Sequence, residues 1–313
     1  MEFDVILSKI SRETESICSY EFRRADGSPV ADYMPGSNIT ILLPNGMVRT
    51  YSLTDAGVKP DALRIAVLNQ AVGRGGSRFI HQNLKPGDVL RVRGIANSFS
   101  LHETARRHIL VAGGIGVTPI LSLAKHLESI GADFEVHYAA RSRREAAFVD
   151  ILARVPFKDK VTFYFDDEQQ RIDLDGILSS FVSGTAVYCC GPSSLMNNVT
   201  SKSGHWPEGS VRLDSFEPLD GNADDQAFTV KLASTGQIFD IPPGKSILRV
   251  LRDHGVCVGS QCEQGVCGAC LTPILEGRPD HRDRVLSESE KRANDLMALC
   301  CSRSLTKSLV LDM

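Results

Sequence analysis

The sequence has no apolar stretch approaching the roughly 20 residues that cross a bilayer, and it has no long basic run. The net charge of -3 is small, so neither nucleic acid nor an anionic membrane is indicated as a partner. Met1–Asp4 lacks the basic start and apolar core of a signal peptide. We see no internal repeats and no low-complexity tract. We therefore expect a cytoplasmic globular protein.

Cysteine, by contrast, is plentiful. The chain has nine cysteines, and all but Cys18 lie between Cys189 and Cys301 in tight groups. In a reducing compartment such groups indicate metal ligands or redox sites rather than disulfides.

The pattern of apolar runs predicts a multidomain chain. In residues 1–102, short runs such as Asn38–Leu43 and Leu63–Leu68 alternate with turn signals, which predicts an antiparallel β-barrel. Residues 103–216 alternate strands with helical spacing, which predicts an α/β domain with a parallel sheet. Its predicted strands are Arg107–Ala112, Phe134–Ala140, Val161–Phe165 and Thr185–Cys190.

The C-terminal part begins after a polar, acidic segment, residues 217–226, which we interpret as a linker. Phe228–Ala233 and Gln237–Ile241 predict a hairpin, and Ser246 is the expected cap of a helix that ends at Asp253. A hairpin, a helix and a cysteine-rich loop in residues 227–313 predict an α+β domain of the β-grasp, plant-type ferredoxin class.

Four cysteines have the spacing of a plant-type [2Fe–2S] cluster. Four residues separate the first two, two separate the next pair, and 29 precede the last: Cys262, Cys267, Cys270 and Cys300. Gly265 and Gly268 lie among them, where small residues let backbone N–H groups approach the cluster.

Alternatives remain open from the spacing alone. Zinc sites pair cysteines in two matched halves, and this chain has only one such pair, so the iron–sulfur cluster is the favoured interpretation. Cys300 and Cys301 compete for the fourth ligand position. We interpret Cys257 as a buried thiol outside the ligand set.

Two glycine-rich segments follow predicted strands of the parallel sheet. Gly113–Pro119 lies between a strand and a helix, where glycines let a pyrophosphate approach the helix N-terminus. Cys189–Pro192 ends another strand, and ligands bind at the carboxyl ends of parallel strands. Together they predict a dinucleotide site. Each one alone also fits an ordinary turn, and Cys190 alone fits a buried strand thiol.

The flavin candidates lie in the barrel. Arg49–Ser52 places Tyr51, which is suited to contact a flavin ring, beside an arginine suited to a phosphate. Gly73–Ser77 offers successive N–H groups and a hydroxyl to a phosphate. Read alone, the two segments equally fit an ordinary strand and an ordinary turn.

Taken in order, these motifs resemble the phthalate dioxygenase reductase family, the FMN-containing reductases of Rieske-type oxygenases. The resemblance extends over nearly the whole chain. It rests on Arg49–Leu53, Gly73–Ser77, Ala112–Pro119, Tyr188–Pro192, Ser215–Phe216, the ferredoxin loop, Pro279–Asp283 and Cys300–Arg303. Departures occur at Leu68–Asn69, Glu217 and Pro279, and none touches a cluster ligand.

The resemblance implies an FMN barrel, an NADH domain and a ferredoxin, and it assigns roles to matching residues. The implied flavin contacts are Arg49, Thr50, Tyr51, Ser52, Val67, Leu68, Asn69, Gly75, Gly76, Ser77, Arg78, Thr118 and Phe216. The implied NADH contacts are Gly113, Gly114, Gly116, Gly191 and Pro192. Cys190 and Ser52 are expected where hydride is transferred. The resemblance also selects Cys300 over Cys301.

The choice of nucleotide rests on charges at two strand ends. Asp166 and Asp167 end one strand and are suited to a ribose hydroxyl, which favours NADH. Arg143 and Arg144 follow another strand and are suited to a 2′-phosphate, which favours NADPH. We expect NADH because the family uses it, with Asp166 as a cofactor contact.

The predicted function is electron transfer from NADH through FMN and a [2Fe–2S] cluster to a separate Rieske-type oxygenase. A flavin suits this series because it accepts a hydride and releases electrons singly. We expect a monomer that docks transiently with its oxygenase. The alternatives are an iron–sulfur redox sensor without turnover and an NAD(P)H:flavin reductase.

Overall fold

The computed structural model describes residues 2–58, 60–71, 73, 75–216, 225–260, 263, 265, 268–283 and 285–313. Cys262, Cys267 and most of the predicted linker 217–226 lie outside the described residues. The chain divides into a first unit, Met1–Glu217, and a second unit, Pro218–Met313.

The first sheet of the first unit is antiparallel, with six strands in the order β4-β3-β6-β1-β2-β5. Alternate residues such as Val5 and Leu7 are fully buried, as expected of strands with one face on a core. Leu53, just beyond β4, bridges to Ile65 in β5, so the sheet curls until its edges meet. The predicted antiparallel barrel is confirmed. Its strands are β1 (Phe3–Arg12), β2 (Ile17–Arg24), β3 (Ser37–Leu42), β4 (Val48–Ser52), β5 (Leu63–Leu68) and β6 (Val89–Asn97).

One helix belongs to this barrel region, α1 (Gly76–Asn83), between β5 and β6. The sequence pattern predicted no helix here, because eight residues are too few to show a clear apolar period. Ile80 is its main buried apolar side chain.

The second sheet of the first unit has five parallel strands in the order β11-β10-β7-β8-β9. The predicted α/β architecture is confirmed, and β9 and β10 have the predicted bounds. The elements are β7 (Arg107–Gly113), α2 (Val117–Ser129), β8 (Asp133–Ala140), α3 (Val149–Leu152), β9 (Val161–Phe165), α4 (Leu174–Leu178), β10 (Thr185–Cys190), α5 (Ser193–Lys202) and β11 (Val211–Asp214).

The second unit is a mixed sheet with one main helix, in the order β13-β12-β18-β14-β16, with β12 and β18 parallel. Ser246 caps the main helix as predicted, because its side chain accepts a hydrogen bond from the Arg249 N–H at 3.2 Å. The elements are β12 (Phe228–Leu232), β13 (Ile238–Ile241), α6 (Ile247–Asp253), β14 (Leu271–Glu276), β15 (Pro279–Asp280), α7 (Glu288–Ala293), β16 (Leu296–Ala298), β17 (Arg303–Ser304) and β18 (Ser308–Leu311).

Candidate functional site

The predicted phosphate loop of the barrel forms the start of α1. Gly75 has φ 77°, a left-handed conformation that favours glycine, and it immediately precedes the helix. A Cβ on Gly76 would lie 2.2 Å from Nε of Arg49, so only glycine leaves room for that side chain. The fold thus brings Arg49 across the positive end of α1, an arrangement that fits a phosphate.

The two residues after this glycine pair are held by local bonds. Ser77 Oγ accepts a hydrogen bond from the Gln70 N–H at 3.2 Å, and the Arg78 guanidinium donates to the Ala71 carbonyl. Both bonds close the loop that leads from β5 into α1. The contact of Arg49 with Gly76 was not foreseen from the sequence, because 27 positions separate the residues.

Strand β4 carries the predicted ring contacts. Thr50 lies opposite Thr40 in β3, and their hydroxyls are 3.0 Å apart. Tyr51 is half-buried and packs against the barrel core, whereas Ser52 at the strand end is 5% exposed. Alternation along the strand therefore directs Thr50 and Tyr51 to opposite faces.

The two glycine-rich turns of the parallel sheet contact each other. β7 and β10 are neighbours, so both turns leave the same edge. A Cβ on Gly116 would lie 2.1 Å from the Cys190 carbonyl oxygen, and one on Gly113 would lie 2.8 Å from Pro192 Cδ. Gly191 packs against Gly113 in the same way. The fold therefore requires these glycines for packing between the turns, whatever else they contact.

Gly114 differs from the other glycines of this turn. Its φ is 54°, and a Cβ there would meet nothing within 4 Å. Open space at a left-handed glycine beside a helix N-terminus fits the approach of a pyrophosphate. Thr118 is 2% exposed, and its hydroxyl donates to the Ile115 carbonyl at 3.0 Å, which holds the turn closed.

Predicted flavin and nicotinamide contacts come together around one apolar cluster. Cys190 is fully buried in it, and the half-buried Leu68, Ile115 and Phe216 pack against it. Val67 belongs instead to the barrel core, and its carbonyl lies 2.8 Å from Nε2 of His81.

Two further residues lie beside these contacts. Asn69 is exposed and donates its N–H to the Ser16 carbonyl at 2.8 Å. Burial raises the pKa of the Cys189 thiol to about 12, so the neighbour of Cys190 is a neutral packing group at neutral pH.

Three of the four charged residues predicted to choose the nucleotide line a cleft of about 500 Å³. Arg143, Arg144 and Asp167 line it, at the carboxyl ends of β8 and β9. The Arg143 guanidinium lies 4.7 Å from the centre of the Phe165 ring, which holds it in place. Asp166 is exposed at the start of a 3₁₀ turn, Asp166–Glu168, and does not line this cleft.

Two of the four predicted cluster ligands are described, and the fold brings them together. Cys300 lies close to Cys270, to Cys301 and to the backbone N–H of Gly265. Backbone N–H groups close to cysteine sulfurs are typical of an iron–sulfur site. Cys301 packs against Gly265, where a Cβ would lie 2.6 Å from its sulfur. The described residues therefore fit a cluster at this position.

The expectation for Cys257 is wrong, because that thiol is exposed. The segment after α6 has no regular secondary structure, and its residues alternate between partly buried and exposed. Val256 and Val258 pack against the core of the second unit, and Cys257 between them faces outward.

A buried polar cluster lies beneath the ligand segment. The Ser302 hydroxyl, fully buried, accepts from the Arg282 N–H at 3.2 Å and donates to Asp283 at 3.4 Å. Asp225, 3% exposed, lies 2.7 Å from Arg282 and 3.3 Å from Arg303. This cluster was not predicted from the sequence, since its members are far apart along the chain.

Parts of the chain match two described families. Residues 230–305 match the family described as the 2Fe-2S iron-sulfur cluster binding domain. Residues 89–206 match the N-terminal domain of the family described as dimethylamine monooxygenase subunit DmmA-like. Within the part of the chain that the structure describes, no helix is long and apolar enough to cross a membrane.

Relatives match over the full length. The vanillate O-demethylase oxidoreductase of Pseudomonas sp. (strain HR199 / DSM 7063) is 39% identical, with 99% of each chain covered. A solved phthalate dioxygenase reductase, described as a modular structure for electron transfer from pyridine nucleotides to [2Fe–2S], is 37% identical with a TM-score of 0.76, covering 100% of this chain and 98% of that one. An intact type IV self-sufficient cytochrome P450 monooxygenase gives a TM-score of 0.85 at 35% identity over 100% of this chain, which spans 41% of that protein.

Proposed function

This chain belongs to the phthalate dioxygenase reductase-like family of oxygenase reductases with a [2Fe–2S] domain, and we propose that it carries electrons from NADH through FMN to its cluster and on to an oxygenase. One observation carries the proposal. A single chain combines a phosphate cradle, two touching glycine-rich turns and a pair of cysteine sulfurs, in the family's order. The phosphate cradle suits FMN, the glycine-rich turns suit NADH, and the cysteine pair suits the cluster.

For the flavin, we propose that Arg49, Gly75, Gly76, Ser77 and Arg78 hold the phosphate at the start of α1. The ring contacts are Thr50, Tyr51, Ser52, Val67, Leu68, Asn69 and Thr118, and Phe216 covers one ring face. When bound, FMN supplies the step from hydride to single electrons. The protein's part is to orient the ring and exclude water, which the buried apolar cluster around Cys190 supports.

For the nucleotide, we propose that Gly114 receives the pyrophosphate, because it alone in its turn has open space on its α-carbon face. Gly113, Gly116, Gly191 and Pro192 shape the two turns around it. Cys190 and Ser52 lie at the proposed hydride-transfer site, where both are buried and able to keep water out. Asp166 and Asp167 select the ribose hydroxyls of NADH.

For the cluster, we propose Cys262, Cys267, Cys270 and Cys300 as the ligands. The described pair supports this set, because Cys270 and Cys300 lie close together with the Gly265 N–H beside Cys300. In this set Cys262, Cys267 and Cys270 come from the cysteine-rich loop, and Cys300 comes from the segment after β16.

For the chain as a whole, we propose a flavin domain at 1–102, a nucleotide domain at 103–216, a linker at 217–226 whose Asp225 already pairs with the second unit, and a ferredoxin domain at 227–313. The division between the units at Glu217 and Pro218 supports the second boundary. The oxygenase partner is proposed to be of the Rieske type, acting in aromatic catabolism, and the reductase to be a cytoplasmic monomer.

The test is anaerobic titration of the purified, cofactor-loaded chain with NADH. We expect flavin absorption to bleach and the cluster to become reduced, with steady NADH oxidation once ferricyanide is supplied. NADPH in place of NADH should react far more slowly. Absence of cluster absorption, or a chain that NADH does not reduce, would overturn the proposal, and a preference for NADPH would overturn the nucleotide assignment.

A further inference from the structure

The second unit has a surface groove beside the fourth-ligand segment, with a volume of about 290 Å³. Its walls come from β15, the end of α7 and the turn after β17. β17 pairs with β15 and begins three residues after Cys300, whereas β16, which follows α7, ends two residues before it. Asp283, at the end of the β15 segment, packs against Gly265 of the cysteine-rich loop. Short stretches of chain therefore join the groove to the candidate cluster, through β17 to Cys300 and through β15 to Gly265.

The charge of the groove is positive. Arg278, Lys291 and Arg292 line it, and Arg278 and Arg292 are exposed. Among the described residues, neither arginine has an ion pair with a carboxylate. Asp280 also lines the groove, but Arg282 already neutralises it at 2.6 Å.

The wall of the groove includes a buried histidine. The His281 side chain is 9% exposed, and neither ring nitrogen makes a hydrogen bond to any described residue. Asp283 Oδ1 is 3.5 Å from its Nδ1 without the geometry of a hydrogen bond. Both ring nitrogens are enclosed by the protein, so the ring lines the groove without offering a nitrogen to a ligand.

The positive charge is local. Residues 227–313 contain 11 Lys and Arg against 10 Asp and Glu, so the segment as a whole is nearly neutral. At the rim, Leu305 is 62% exposed. Arginines around an exposed apolar side chain are the composition of a protein-docking surface rather than of an ordinary solvated face.

We propose that this groove docks the oxygenase, which presents clustered Asp and Glu side chains to Arg278 and Arg292. The inference rests on the proposed function and names the chemistry of its partner. Opposite charges would steer the encounter and set its orientation, while a small contact area would allow release after each electron. Docking there would bring the acceptor to the chain segment that carries Cys300.

The first test uses a deca-glutamate peptide as the probe and the full, cofactor-loaded chain. We expect the double variant Arg278→Glu/Arg292→Glu to bind the peptide at least tenfold more weakly, and added salt to weaken wild-type binding. The matched control, Lys231→Glu/Arg249→Glu, changes the charge equally at exposed positions of the same unit away from the groove. Unchanged binding in the groove variant, or an equal loss in the control, would overturn the proposal.

The second test uses cytochrome c, a basic one-electron acceptor. Reversing the groove's charge should speed its reduction severalfold at low salt, with the difference gone at high salt. Equal cytochrome c rates in wild type and groove variant would overturn the proposal.

The same samples separate this inference from the proposed function. NADH reduction of flavin and cluster tests the function alone, whereas peptide binding tests the groove alone. If NADH reduces the chain and the peptide does not bind the groove, only the docking site is wrong. If the groove variant instead slows transfer from flavin to cluster with peptide binding unchanged, the groove serves the first unit and the proposal is overturned.

Discussion

The two units hold their candidate cofactors by different means. In the first unit the sites are backbone features: open space at Gly114, and Arg49 lying across Gly76 at the start of α1. In the second unit the sites are side chains, and Cys270 and Cys300 join segments 30 positions apart. Noncovalent cofactors bind a framework that is already folded, whereas metal bonds are themselves part of the folding energy. The second unit should therefore depend on its cofactor far more than the first.

Buried carboxylates show the same contrast. The Asp55 side chain in the first unit is 20% exposed. It forms ion pairs with Lys125 of α2 at 2.6 Å and with Arg64 of β5 at 2.9 Å, so it connects the barrel to α2 at a site that water can reach. Asp225 in the second unit is 3% exposed, and its partner Arg303 is 4% exposed. Water can replace a lost partner at Asp55 but not at Asp225, so the second cluster should be the more sensitive to substitution.

The largest effect should follow from Cys300→Ser. Losing one of four ligands should abolish the cluster's absorption and lower the melting temperature of the second unit by roughly 10 °C or more. Flavin content and NADH bleaching of the flavin should be retained, because the first unit does not need the cluster to fold. Calorimetry and visible absorption measure both.

Two other cysteines provide the controls for that substitution. Cys257→Ser should keep the cluster, since this thiol is exposed and outside the ligand set. A cluster that survives Cys300→Ser but is lost in Cys301→Ser would reassign the fourth ligand to Cys301.

Asp225→Asn should destabilise the second unit by about 3–5 kcal/mol, because it leaves Arg303 buried without its counter-charge. Burial lowers the pKa of Arg303, and the charge of Asp225 opposes this shift. Denaturant unfolding followed by cluster absorption gives the value. The control is Asp312→Asn, an exposed carboxylate of the same unit, for which we expect a change within about 0.5 kcal/mol. Similar losses of stability in both variants would contradict the role that we assign to burial of Asp225.

Substitution of two glycines in the nucleotide turn should separate stability from NADH binding. Gly116→Ala should cost about 1–3 kcal/mol of first-unit stability, because its Cβ would collide with the Cys190 carbonyl. Gly114→Ala meets no atom and should cost only about 1 kcal/mol, from its left-handed φ. The KM for NADH, however, should rise more in Gly114→Ala. If both variants lose stability and NADH affinity together, the two roles are not separate.

Asp55→Asn should lower first-unit stability by about 2 kcal/mol at neutral pH, through loss of charged hydrogen bonds. Burial works against ionisation of Asp55, but Lys125 and Arg64 outweigh it and hold its pKa below the ordinary value. A carboxyl with a lowered folded pKa stabilises above its unfolded pKa, and this stabilisation is lost as pH falls through the folded value. The difference between variant and wild type should thus shrink below about pH 4.

The matched control for Asp55 is Asp61→Asn, which removes a 62% exposed carboxylate from the same arginine. Its effect should be under about 1 kcal/mol, because exposed ion pairs contribute little. Denaturation curves between pH 3 and 7 measure both variants, and a pH-independent loss in Asp55→Asn would contradict the assignment.

Much of the fold was predictable because it is encoded locally. Val161–Phe165 and Thr185–Cys190 are strands at the predicted bounds, since short buried runs between turn signals have few other solutions. Ser246 capped its helix for the same reason. Helix α1 was missed because eight residues show little periodicity, and Cys257 was misplaced because cysteine gives no signal of which face it occupies.

The site was predictable in its residue types more than in its contacts. The four-cysteine spacing and the glycines of residues 113–116 were visible in the sequence, since metal ligation and tight turns demand particular residues at particular separations. What each glycine does was not visible. Gly116 packs on Cys190 and Gly76 makes room for Arg49, while Gly114 faces open space, and all three have the same sequence letter.

The sequence by itself determined the chemistry available: thiolates at ligand spacing, turns that admit phosphates, and apolar periods that set strands and helices. The tertiary structure alone decided which groups meet, including Asp225 with two arginines, Asp55 with Lys125, and His281 in a basic groove beside the Cys300 segment. The reason is the distance along the chain over which each kind of signal acts. Periodicity and spacing act over a few residues, whereas burial and charge pairing depend on neighbours in space that the chain brings together only when it folds.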